Sequence, residues 1–152
     1  LSDLHEATRQ VGTLGEKDLI IVDTPPGVDA SPAEMRQLLL MADYVLAPTG
    51  QGAGDLRSVS EWMAFIRREQ RPSAFVLNLT VRSAGSFDRA KQRLIEGGDL
   101  CPFDIRLYES IHVSDEVGLG IAEMKGANGL SDVRGVFTFA MQAIGLKVLA
   151  ND

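Results

Sequence analysis

Asp18-Leu19-Ile20-Ile21-Val22-Asp23-Thr24-Pro25-Pro26-Gly27 is the stretch whose reading decides the fold of this 152-residue chain. Four consecutive apolar residues, three of them β-branched, run into an aspartate, and two prolines and a glycine forbid any continuation. With no polar face, Leu19 to Val22 read as a fully buried strand. Such a strand carries the Asp23 carboxylate to its carboxyl end, where open α/β sheets bind their ligands. Thr24 to Gly27 then form a shaped loop facing the ligand. In nucleotide hydrolases an aspartate so placed holds Mg2+, usually through a water, and the loop senses the terminal phosphate. The same residues also read as a strand closed by an Asx-type turn, with Asp23 capping backbone N–H groups.

On both sides of this stretch, helical and extended patterns alternate, which favours a parallel α/β sheet. Leu1 to Val11 reads as a helix. Ser31-Pro32-Ala33-Glu34 is a capping box with proline at the first helical position, and its helix turns Met35, Leu38, Leu39 and Ala42 inward. Tyr44 to Pro48 is a second strand. The glycine-rich loop Thr49–Gly54 follows, and Asp55 reads as the N-cap of a helix through about Gln70 with Val59, Trp62, Met63 and Ile66 as its core stripe. Ala74 to Leu79 is a third strand carrying Asn78 near its end. Ser86 caps a helix containing Ala90, Leu94 and Ile95, closed by Gly97-Gly98. A fourth strand is expected within Cys101–Leu107, and a short helix opens near Ser114-Asp115-Glu116, with acids at its start. The last helix, capped by Ser131 and ended by Gly145, repeats Val133, Val136, Phe137, Ala140, Met141 and Ile144 at helical spacing. No repeat, low-complexity tract or linker divides the chain, so one domain is expected.

Composition narrows the function. With 45% hydrophobic and 24% charged residues, the chain has the make-up of a globular protein with a real core. A single cysteine, Cys101, cannot form an internal disulfide, which fits a reducing compartment. No signal-peptide pattern and no bilayer-length apolar run is found, so a cytoplasmic protein is expected. The net charge of −6 argues against a uniformly basic nucleic-acid surface. His5 and His112 are isolated and lack the companions of a metal site.

The order of these pieces resembles the ParA/MinD family of deviant Walker-motif ATPases, and within it the ParA-like partition branch. The resemblance runs from about Asp18 to Ile144. It rests on the Val-Asp-Thr-Pro-Pro-Gly strand end, the Ala42–Thr49 strand, Asp55-Leu56, the Val76-Leu77-Asn78 strand, and a late Ile105-Arg106 with Glu116 and Gly120 beyond. It implies a P-loop-type, three-layer α/β domain with a mostly parallel sheet. It implies an Mg-ATP-dependent ATPase that partitions plasmids or chromosomes, cycling between a monomer and an ATP-sandwich homodimer and stimulated by a ParB-like partner. Asp23 matches the Walker-B-type aspartate of the Mg2+ site. Thr24, Pro25 and Gly27 match the switch that responds to the γ-phosphate. Asn78 matches the asparagine that reads the adenine edge, a role an amide suits by offering both donor and acceptor. By itself Asn78 also reads as a strand-end residue satisfying its own backbone.

One departure stands against these matches. The family's G-x-x-x-x-G-K-[ST] phosphate loop has no counterpart here. The Gly50–Gly54 loop has no lysine and reads as a plain turn rather than a substitute. The expectation is therefore a carboxyl-terminal portion missing the first strand, P-loop and first helix, inactive alone, with an unpaired strand edge inside the sheet. A non-catalytic interaction or dimerisation module of the same fold is the alternative, as is a positioning ATPase with another cargo. Arg67, Arg68, Arg71, Arg82, Arg89, Lys91 and Arg93, seven of fifteen basic residues, offer a run for nonspecific DNA binding. The end of the chain, with one lysine in Leu146–Asp152, lacks the basic amphipathic helix of a membrane anchor.

Overall fold

In the computed structural model, which describes residues 19–24 and 32–146, a parallel three-stranded sheet is flanked by helices. Its elements are α1 (Pro32–Met41), β1 (Val45–Thr49), α2 (Ala53–Arg68), β2 (Ser73–Thr80), α3 (Ser86–Gly97), β3 (Ile105–Arg106), α4 (Glu109–Val117), a 3-10 turn (Ile121–Glu123) and α5 (Leu130–Ala143). β2 lies between β1 and β3 and pairs in parallel with both. Parallel neighbours require crossovers, which α2 and α3 supply. Ala74, Phe75, Val76 and Leu77 of β2 are buried, as an apolar strand covered on both faces should be. The larger core cluster packs α2 and α3 against one side of the sheet, through Leu56, Val59, Met63, Phe87, Ala90 and Leu94. A smaller cluster joins Val76 to Cys101 and to Val136 of α5. Cys101 is buried and free, and burial raises its thiol pKa.

The expected strand at Leu19–Val22 does not form. All four residues are exposed and belong to no ladder. An apolar strand is stable only with a paired edge and cover on its faces, and among the described residues nothing supplies either. Thr24 is described and exposed. Leu1–Val11, His5, Pro25, Gly27 and Ser31 lie outside the described residues.

β1 is correspondingly an edge strand among the described residues. Val45 donates its N–H to the Pro72 carbonyl at 2.9 Å, so Val45, Ala47 and Thr49 face β2. Alternation turns the backbone groups of Leu46 and Pro48 to the open edge, where Pro48 brings no N–H.

Helix boundaries shift in one consistent way. α2, α3 and α5 have Gly52, Gly85 and Gly129 at their N-cap positions, not Asp55, Ser86 and Ser131, and none is capped by a side chain. Gly129 sits at φ +96°, and a Cβ there would come within 2.9 Å of the Tyr108 ring, so both conformation and space call for glycine. α4 starts at Glu109, which puts Asp115 and Glu116 in its last turn rather than its first. Gly118, at φ +69°, ends it in the left-handed region. The core stripes also rotate slightly. Trp62 is only half-buried, edge-on to Phe65, while Leu56 takes its place in the core. Phe137 points outward, and on α3 Phe87 is buried while Ile95 is exposed. Each misplaced residue lies next to the true stripe, a rotation of about 100° that helical spacing alone does not fix.

Candidate functional site

The carboxyl ends of β1 and β2 bring two loops together at one rim of the sheet. Thr49 ends β1, and Gly50-Gln51-Gly52 leads into α2; Asn78, Leu79 and Thr80 end β2, and Val81 to Gly85 lead into α3. Gln51 joins the loops. Its Oε1 accepts from the Val81 N–H at 2.8 Å, and its Nε2 donates to Ser86 Oγ at 2.6 Å. Asn78 is half-buried, two residues inside the strand end, and its Oδ1 accepts from the Leu79 N–H at 2.9 Å. Half of the amide thus serves the local backbone, as the residue's own propensity suggested. Its nitrogen has no partner among the described residues.

The glycine loop does not present an empty anion cradle. The Asp55 carboxylate, in the first turn of α2, folds back over it, so that a Cβ at Gly50 or Gly52 would collide with an Asp55 oxygen. A negative side chain therefore already occupies the approach that a phosphate would use. The glycine loop, as it is folded, does not fit a phosphate. Asp23, exposed and outside the ladder, is not delivered to this rim by a strand. Among the described residues no group of three His, Cys, Asp or Glu could hold a metal, and His112 is exposed.

Beyond Thr80, two ion pairs tie the rim to the rest of the fold. Asp104 is buried, accepts from Thr80 Oγ1 at 2.5 Å, and receives Arg82 on both oxygens at 2.7 and 3.1 Å. Burial pushes the Asp104 carboxyl up, but the Arg82 and Thr80 hydrogen bonds and the Arg82 charge outweigh it and leave the pKa below the ordinary value. Asp132 of α5 receives the Arg106 guanidinium on both oxygens at 2.9 Å and the Arg106 N–H at 3.2 Å. The Arg106 hydrogen bond dominates and, against burial, lowers the pKa of Asp132. Arg106 also stacks over Tyr108, 4.9 Å from the ring centroid. An open depression of about 620 Å³ lies beside this pair, lined by Arg106, Tyr108, Ser131 and Arg134. Gln51, Asp104 and Asp132 carried no local sequence signal, because their partners lie 22 to 35 residues away.

Several of the seven basic residues have contacts of their own. Arg82 is engaged by Asp104, and Arg67 donates to the Gly97 carbonyl at 2.6 Å. The Lys91 ammonium lies 5.5 Å from the Phe87 ring centroid, and Arg71 is half-buried. All of the seven but Arg71 are exposed, and Arg89 and Arg93 lie four residues apart on α3.

No known protein-family model matches the chain, and no curated protein matches it significantly. Among the described residues no helix is long and apolar enough to cross a membrane.

Proposed function

We propose a ParA-like role for this protein: Mg-ATP-dependent partitioning of a plasmid or chromosome, with Asn78 at the adenine end of the nucleotide. The observation that supports it is the meeting of the β1 and β2 loops at one rim, with the Asn78 amide nitrogen available beside them. Open α/β sheets bind ligands outside the carboxyl ends of their strands. The metal-side half of the proposal, Asp23 with Thr24, Pro25 and Gly27, rests on the order of motifs in the sequence. Homodimerisation, a ParB-like activator and nonspecific DNA binding belong to the same proposal. For DNA, Arg67, Arg68, Arg82, Arg89, Lys91 and Arg93 are the exposed candidates, and binding should weaken steeply with salt.

The test is equilibrium binding of ATP, with and without Mg2+, to the protein and to its Asn78→Ala variant. ATP binding that falls at least tenfold in Asn78→Ala supports the reading. Protein that binds no ATP would overturn it.

A second reading, a non-catalytic interaction or dimerisation module, is favoured by one observation. Leu19–Val22 and the open edge of β1 leave apolar side chains and backbone groups without partners among the described residues. A concentration-dependent dimer that forms without nucleotide would select this reading.

A further inference from the structure

We propose that Gln51 is a positioning residue that holds the Asn78-Leu79-Thr80-Val81 corner in a strained, ligand-ready conformation. The proposal depends on the nucleotide reading above only for the identity of the ligand.

Leu79 lies at φ +51°, a left-handed conformation that a branched side chain rarely adopts. Its side chain is 43% exposed, so packing of Leu79 itself does not compensate the strain. The neighbours do. After Leu79, Val81 is held through its N–H by Gln51, whose other end is fastened to Ser86 of α3. Thr80, directly after Leu79, is held through its hydroxyl by Asp104 and through its carbonyl by the Leu107 N–H at 3.0 Å. Arg82 is clamped to the same Asp104. Before Leu79, Asn78 pairs with Ile105 of β3, and the ladder is irregular between Asn78 and Thr80. Strain that persists because its surroundings over-determine it is characteristic of ligand-binding corners.

The consequence is specific. The Leu79 N–H, in the peptide plane that follows Asn78, donates to Asn78 Oδ1, which fixes the amide and leaves its two N–H donors without a partner among the described residues. Leu79 and Val81 stand exposed on either side of Thr80 as an apolar lip. Donors beside an apolar lip suit the edge and face of a planar heteroaromatic base. Of the two anchors, Asp104 also supports β3 through Thr80 and Arg82, whereas among the described residues the Gln51 side chain bonds only to Val81 and Ser86. Gln51 can therefore be changed without dismantling the sheet.

Two variants separate polarity from shape. Gln51→Met keeps the length and loses every hydrogen bond; Gln51→Glu keeps two acceptor oxygens for the Val81 N–H and the Ser86 hydroxyl. Hydrogen exchange read by NMR should show the Leu79 and Val81 amides exchanging at least tenfold faster in Gln51→Met and near the wild-type rate in Gln51→Glu. Amides of Phe75 and Leu77 should be unchanged in both. Leu79 exchange equal to wild type in Gln51→Met overturns the proposal, as does equal loss in Gln51→Glu. Adenosine, titrated while the Asn78 side-chain amide is observed, reports the ligand separately. A shift in wild type and Gln51→Glu that is at least tenfold weaker in Gln51→Met supports the corner as a base site. If adenosine leaves wild type unmoved, the nucleotide reading fails, while the exchange rates still decide the role of Gln51.

Discussion

Leu19–Val22 and Ala74–Leu77 are two apolar runs of the same length, each followed by a polar residue suited to a ligand, and they meet opposite fates. The first is 39–78% exposed; the second is 0–3% exposed at the centre of the sheet. Composition does not separate them. What differs is the company: β2 has a strand on each edge and helices packed against it, whereas the first run has no paired neighbour among the described residues. An apolar run states a demand for burial, and only other parts of the fold can meet it.

The largest effect that tests this contrast is a truncation in each run. Phe75→Ala should lower stability by about 3–5 kcal/mol, because the ring fills the core between α2, α3 and the sheet. Urea denaturation monitored by the single tryptophan, Trp62, would measure it. Next comes Asp132→Ala, which strands the Arg106 guanidinium and should cost about 1–3 kcal/mol, the lower part applying because Arg106 is partly solvated. Acid titration gives a smaller, graded effect. Asp104 and Asp132 have lowered pKa values in the folded chain, so the folded state binds fewer protons there than the unfolded one. Their contribution is complete above the unfolded value of about 3.9 and is lost as pH falls through the folded values. An Asp104→Asn, Asp132→Asn variant should therefore lose stability less steeply than wild type below about pH 4. The smallest effect belongs to Ile21→Ala, expected within about 0.5 kcal/mol. A loss of several kcal/mol there would break the comparison, by showing the run packed in solution.

Much of the fold was legible from spacing. Strands near 44–48 and 74–79, the helices between them and the proline at the start of α1 follow from local pattern, and the observed β1, β2 and α1 agree within one or two residues. The site was legible only in part. Asn78 could be singled out because a polar residue interrupts an apolar strand, and its bond to the Leu79 N–H is the local alternative already visible in its chemistry. Gln51 could not, since one glutamine in a glycine-rich loop is indistinguishable from a solvated one. The cap positions were misjudged for a related reason: Asp55, Ser86 and Ser131 are good caps in isolation, yet the N-cap of each helix falls earlier, at Gly52, Gly85 and Gly129, of which only Gly129 has a positive φ.

The sequence by itself determined that the chain alternates strands and helices, which residues seek burial, and where turns must fall. Those properties come from side-chain periodicity and from the restricted backbones of proline and from glycine's freedom, all of which act over a few residues. The tertiary structure decided which apolar run found neighbours, which arginines were spent on carboxylates, and why a leucine at the end of β2 is held in a left-handed turn. Those outcomes depend on hydrogen bonds and contacts between residues distant along the chain, and no local pattern specifies such partners.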